Sequence, residues 1–79
     1  YPNPFNPEVN ISFFNPKSNQ VSIKVYDLNG RLIDTVFDSF LAYGEHSFKW
    51  NAANVSSGLY ILTLHSGSSY ISSKISLLK

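Results

Sequence analysis

Apolar and polar residues alternate with a period of two in one run after another along this chain, and short polar segments separate the runs. Val9, Ile11 and Phe13 fall on one face of the first run, with Asn10 and Ser12 on the other, which predicts a half-buried strand. In the second run Val21, Ile23 and Val25 alternate with Ser22, Lys24 and Tyr26. A third strand is predicted over Leu32 to Phe37. His46, Phe48 and Trp50, set against Glu45, Ser47 and Lys49, mark a fourth. The fifth, Leu59 to His65, carries Tyr60, Leu62 and Leu64 on one face and Leu59, Ile61 and Thr63 on the other, so it reads as central. The last runs from Tyr70 to Leu78, with Ile71, Ile75 and Leu77 against Ser72, Lys74 and Ser76. No segment shows an apolar period of 3.6 residues, so no helix is predicted.

The segments between the runs carry turn chemistry. Asn15-Pro16 opens a turn that ends near Asn19. In Asp27-Leu28-Asn29-Gly30 the Asn-Gly pair is expected to take positive φ at both central positions of a tight hairpin. Residues 38–44 read as a loop with a short edge strand. Residues 51–58 form a polar loop in which Val55 is expected to turn inward, and Ser66 to Ser69 make another turn. Three of the four prolines lie in the first seven residues. Each fixes φ and removes an N–H donor, so residues 1–7 are expected to form an extended strap, pinned to the core by Phe5. Short strands spaced about ten residues apart, with turn signals between them, predict an all-β antiparallel sandwich of about six to eight strands.

Composition narrows the function classes. With 79 residues the chain holds one domain, predicted to span 1–79, and its apolar content of 43% is enough for one core. The six Lys and Arg are scattered singly and the net charge is +1, so no basic face for nucleic acid is expected. No apolar run approaches the ~20 residues needed to span a bilayer. The chain has no Cys, so neither disulfides nor thiol chemistry can occur.

A search for catalytic or metal-binding patterns finds none with the required spacing. His46 and His65 lie on different predicted strands, with no third ligand at zinc-site spacing. Counted from Asp27 as the first position of a calcium loop, the sixth residue is Leu32, where Gly is needed, and the twelfth is Asp38. Glu8, Asp27, Asp34, Asp38 and Glu45 are dispersed, and no Gly-x-Ser-x-Gly elbow is present. The chain is therefore read as non-catalytic, with no cofactor and no metal. Tyr60 is assigned to the core, while Tyr26 and Tyr43 remain candidates for a stacking surface.

The ordered set of motifs resembles the type A C-terminal sorting domain of the type IX secretion system. The opening Tyr1-Pro2-Asn3-Pro4-Phe5-Asn6-Pro7 is similar to that family's first motif, and residues 21–32 resemble its second strand and its Asp-x-x-Gly-Arg hairpin, here with Asn29 and Gly30. Tyr43-Gly44-Glu45-His46 with Trp50 resembles the Ala-Gly-x-His-x-x-x-Trp segment, with Tyr43 where Ala is usual. Ser57-Gly58-Leu59-Tyr60 resembles the Ser-Gly-x-Tyr motif, and Lys74 with the final Leu77-Leu78-Lys79 resembles the carboxyl-terminal signature. A related Ig-like module of flagellar hook-capping proteins shares much of the pattern.

The resemblance implies an Ig-like sandwich that acts as an export address at the carboxyl end of a longer precursor. Its partners would be an upstream cargo domain, the outer-membrane secretion machinery and a sortase-like peptidase that removes the domain and joins the cargo to a surface anchor. The route would run through the periplasm to the cell surface or medium. On this reading Lys74, Leu77, Leu78 and Lys79 form the recognition surface, while Pro2, Asn3, Pro4, Asn29, Gly30, Trp50, Gly58 and Tyr60 hold the framework. The alternative is an accessory Ig-like spacer or carbohydrate-binding module of an extracellular hydrolase. A third reading is a subunit that builds fibres by exchanging edge strands.

Overall fold

A computed structural model of the protein describes residues 8–78, and every helix or strand assigned within that range is a β-strand. The strands are β1 (Glu8–Asn15), β2 (Asn19–Asp27), β3 (Leu32–Leu41), β4 (Gly44–Asn51), β5 (Gly58–Ser66) and β6 (Ser69–Leu77). β1 and β4 form one sheet; the other has the order β3-β2-β5-β6. All pairings are antiparallel. The two sheets stack as a sandwich, in agreement with the all-β expectation. The proline-rich strap, with Pro2, Asn3, Pro4 and Phe5, lies outside the described residues, as does Lys79.

The core lies where the alternating faces meet. Val21, Ile23 and Val25 of β2 are fully enclosed, with Ser66, Leu64 and Leu62 of β5 beside them. Ile11 of β1 and Trp50 of β4 close over this surface from the other sheet, with Val9, Phe13 and Phe48 packed around them. The Phe48 ring lies 4.7 Å from Phe37 and 6.2 Å from Phe13, a chain of aromatic contacts from one sheet to the other. β5 is central, as its two apolar faces predict. Hairpins join β2 to β3 and β5 to β6, whereas the β1–β2, β3–β4 and β4–β5 connections cross between the sheets. Val55 packs against the core from the β4–β5 connection, and Ala52 beside it is fully buried.

Three features differ from the sequence reading. At the β2–β3 hairpin only Gly30 has positive φ, at +84°. The Gly30 N–H bonds the Asp27 carbonyl and the Asp27 N–H bonds the Arg31 carbonyl, both at 3.0 Å. The turn is thus a three-residue loop closed by one left-handed glycine, which matches the strand twist without a second positive φ. β3 also continues to Leu41, through residues expected to form a loop. Its register with β2 shifts at Ile23/Lys24 and again at Val25/Tyr26, stepping over Val36 and Ile33. Such bulges break the period of two, so neighbouring Val36 and Phe37 both pack on the core and the simple alternation is lost. Finally, Ile71 lies on the core side of β6 yet is 60% exposed. A pair of strands does not cover the full width of a four-stranded sheet.

Candidate functional site

Of the residues expected to form a recognition surface, Lys74, Leu77 and Leu78 lie along or just past the end of β6, Lys79 lies outside the described residues, and the structure separates the three. Leu77 is buried in the core opposite Gly58. It is an anchor, because alternation sends its side chain inward. Leu78, the next residue, is 78% exposed. Lys74 is exposed on the outer face, opposite Ile61. Among the described residues β6 pairs only with β5, so its second edge presents backbone donors and acceptors.

The described motif residues Gly58, Tyr60, Trp50, Asn29 and Gly30 lie at this end of the sandwich. Gly58 opens β5 with φ +154°, a backbone shape that side chains disfavour. Two residues later Tyr60 is buried, and its hydroxyl donates a 2.7 Å bond to the Ser56 carbonyl, tying the connecting loop to the strand. The Trp50 ring lies 6.5 Å from Tyr60 at 69°, an edge-to-face contact, and only 2% of Trp50 is exposed. Its Nε1–H donates to Asp34 Oδ2 at 2.8 Å. In the hairpin, Asp27 Oδ1 accepts from the N–H groups of Asn29 and Arg31, both at 2.9 Å. Arg31 Nε lies 3.2 Å from the second carboxylate oxygen. The Arg31 N–H above all, and then the Asn29 N–H and the guanidinium charge, hold Asp27 below its ordinary pKa of 3.8 against an opposing desolvation.

Sequence reasoning missed a polar hub at the opposite end. Asn15, read only as the start of a turn, is fully enclosed. Its Nδ2 donates to the carbonyls of Leu41 and Ala42, each at 3.1 Å. Its Oδ1 accepts from the buried Ser66 hydroxyl at 2.8 Å. Asn19 in turn donates to Ser66 Oγ and the Lys17 carbonyl, each at 3.0 Å, and accepts from the Gly67 N–H. The hub ties two of the three sheet crossings, β1–β2 and β3–β4, to the end of β5. The one local signal was an Asn directly before Pro16.

The tyrosines do not form one platform. Tyr26 lines a shallow trough on the outer face of the four-stranded sheet, whereas Tyr43, 64% exposed, packs edge-on against Phe14 at 5.1 Å in the β3–β4 turn. His46 Nε2 lies 2.8 Å from the Ala42 carbonyl; His65 is on the other sheet, its ring edge-on to Tyr70 at 5.2 Å. Among the described residues no three His, Asp or Glu side chains converge on a common point, and none belongs to a helix long and apolar enough to cross a membrane.

Comparison with protein families gives a match over nearly the whole chain. The family model described as "secretion system C-terminal sorting domain" covers residues 1–77 of this chain. No curated protein matches it.

Proposed function

The chain belongs to the family of secretion system C-terminal sorting domains, and on that premise we propose that it forms the carboxyl-terminal address of a larger protein and is read at the outer membrane through the free end of β6. Family membership identifies it as a sorting signal of the type IX secretion system and carries with it export to the cell surface or the extracellular space. The match over residues 1–77 is the observation that carries the reading.

The mechanism starts from the folded sandwich. Leu77 is buried and fixes where β6 ends, so the exposed Leu78 leaves the core at a set position. Lys74 contributes an exposed charge four residues before Leu78, and the second edge of β6 offers backbone groups to which a receptor strand can add. Recognition then rests on Lys74, Leu78 and Lys79, with Leu77 as their anchor. After transit through the periplasm and across the outer membrane, a sortase-like peptidase cuts between cargo and domain and exchanges the domain for a surface anchor. The domain is the substrate of that step and does no chemistry of its own.

The test is a fluorescent reporter carrying a signal peptide and residues 1–79, expressed in a type IX-competent host. The wild-type fusion is expected at the cell surface or in the medium; retention in the periplasm would end the sorting reading. Lys74→Ala combined with deletion of Leu78-Lys79 should block export with no change in the thermal melt. Export at the wild-type level would move the recognition surface elsewhere.

A further inference from the structure

The trough on the outer face of the four-stranded sheet encloses about 420 Å³ and faces away from β1 and β4. Tyr26 and Leu28 stand at one end, His65 and Tyr70 at the other, and Ile61 and Thr63 form the floor. Strand register explains the arrangement. Tyr26 lies opposite Ile61, Lys24 opposite Thr63, and Ser22 opposite His65, which itself faces Tyr70. From Ser22 to Tyr26 the trough follows the strand for about 13 Å, at ~3.3 Å per residue. Leu28 and Tyr70 are each 60% exposed, an apolar and aromatic surface that the fold leaves open.

We propose that this trough binds a short stretch of acidic polysaccharide. Positive charge comes from Lys24, which lines the trough, and Lys74, on the same face beside Ile61. The ion pair found among the described residues, Arg31 with Asp27, involves neither lysine. Asp27, the acid in the lining, is already committed to its own loop, and Asp38, across from Ser22, accepts from Gln20 Nε2 at 2.9 Å. On this face Lys24 and Lys74 stand against Asp38, with Asp27 offset by Arg31, and the net positive balance favours an anionic partner.

The shape of the trough selects saccharide over peptide. β2 and β5 are each paired on both sides, so an extended peptide laid along the trough meets no unpaired backbone. Sugar rings need only flat aromatic faces and side-chain polar groups, and Tyr26, Tyr70, Ser22 and Thr63 provide both. The proposal does not depend on the sorting role, which uses the edge and end of β6.

Titration calorimetry of the 79-residue chain against polygalacturonate oligomers tests it, with a neutral glucan and polyglutamate as comparison probes. Polygalacturonate should bind and weaken as salt rises, and the other two should bind at least about tenfold more weakly. Lys24→Gln and Tyr70→Ala should each weaken binding by about tenfold with wild-type melts, whereas Tyr43→Ala should leave it unchanged. Absence of binding would overturn the proposal, as would equal binding of polyglutamate, equal binding of the glucan, or loss on Tyr43→Ala. Reporter export by the Lys24→Gln and Tyr70→Ala fusions should stay at the wild-type level, so the two readings fail separately.

Discussion

Asn15 and Ser66 lie 51 positions apart in sequence and meet inside the sandwich, where the Ser66 hydroxyl donates to the Asn15 amide oxygen at 2.8 Å. The same amide donates to two carbonyls in the crossing from β3 to β4. Replacing Asn15 by Leu would remove the donor shared by those two carbonyls and the acceptor of the hydroxyl, leaving Ser66 with Asn19 and the Ala42 carbonyl with His46 as their remaining partners. A loss of about 2–4 kcal/mol is expected, since each buried polar group left without a partner costs on the order of 1–3 kcal/mol and the structure relaxes in part. Ser66→Ala removes one hydroxyl and should cost only ~1 kcal/mol. Urea unfolding of both single variants and the double variant checks this: the double should lose less than the sum, because the two residues share a bond.

Trp50 reaches from β4 to Asp34 at the edge of the facing sheet, and this bond satisfies a buried indole N–H. Asp34→Ala should therefore destabilise by about 1–3 kcal/mol although the aspartate itself is exposed. Asp34→Asn keeps an acceptor oxygen and should fall clearly below that. Tryptophan fluorescence reports the same unfolding transition, as Trp50 is the chain's one tryptophan. Equal loss in Asn and Ala would assign the effect to charge and not to the bond.

How far such features could be read from the sequence depended on whether they are local. β1, β2, β4 and β5 were legible because Val9-Ile11-Phe13 and Val21-Ile23-Val25 keep a strict period of two, and burial on one face is all that pattern encodes. β3 was half legible: its register shifts at Val36 and Ile33 arise from pairing with β2, which no pattern within residues 32–41 records. Asn15 was opaque for the same reason, since its partners come from β5 and the β3–β4 crossing. Leu77 was grouped with Leu78 on motif alone, although alternation along β6 already sets their side chains on opposite sides. The trough exists only in register, through Tyr26 beside Ile61 and His65 beside Tyr70.

Tyr60 separates packing from hydrogen bonding at one position. Tyr60→Phe keeps the ring against Trp50 and removes only the bond to the Ser56 carbonyl, for a loss of ~1 kcal/mol. Tyr60→Ala empties the ring's site and should cost about 3–5 kcal/mol, comparable to the whole stability expected of a domain this small. Thermal melts should show a shift for Phe and an unfolded chain for Ala. A folded Ala variant would mean that the ring contributes little to the core.

Asp27 gives the hairpin an acid-sensitive element with a defined direction. Its folded-state pKa lies below the ordinary 3.8, because the Arg31 N–H first, then the Asn29 N–H and the guanidinium, favour the carboxylate. A group whose pKa falls on folding stabilises the native state above its unfolded value. That contribution is fully present above pH ~4 and disappears as the pH drops through the lowered folded-state value. Asp27→Asn keeps a side-chain oxygen to accept the two N–H bonds but has no charge to titrate. The urea midpoint of the wild-type chain should therefore fall more steeply between pH 5 and pH 2, on the order of the carboxylate range, than that of Asp27→Asn. Because the Arg31 side chain is 78% exposed and its ion pair is screened, 1 M salt (a Debye length of ~3 Å) should shrink the guanidinium part and leave the backbone part. Parallel slopes for the two proteins would show that the loop bonds form equally well to a neutral acid.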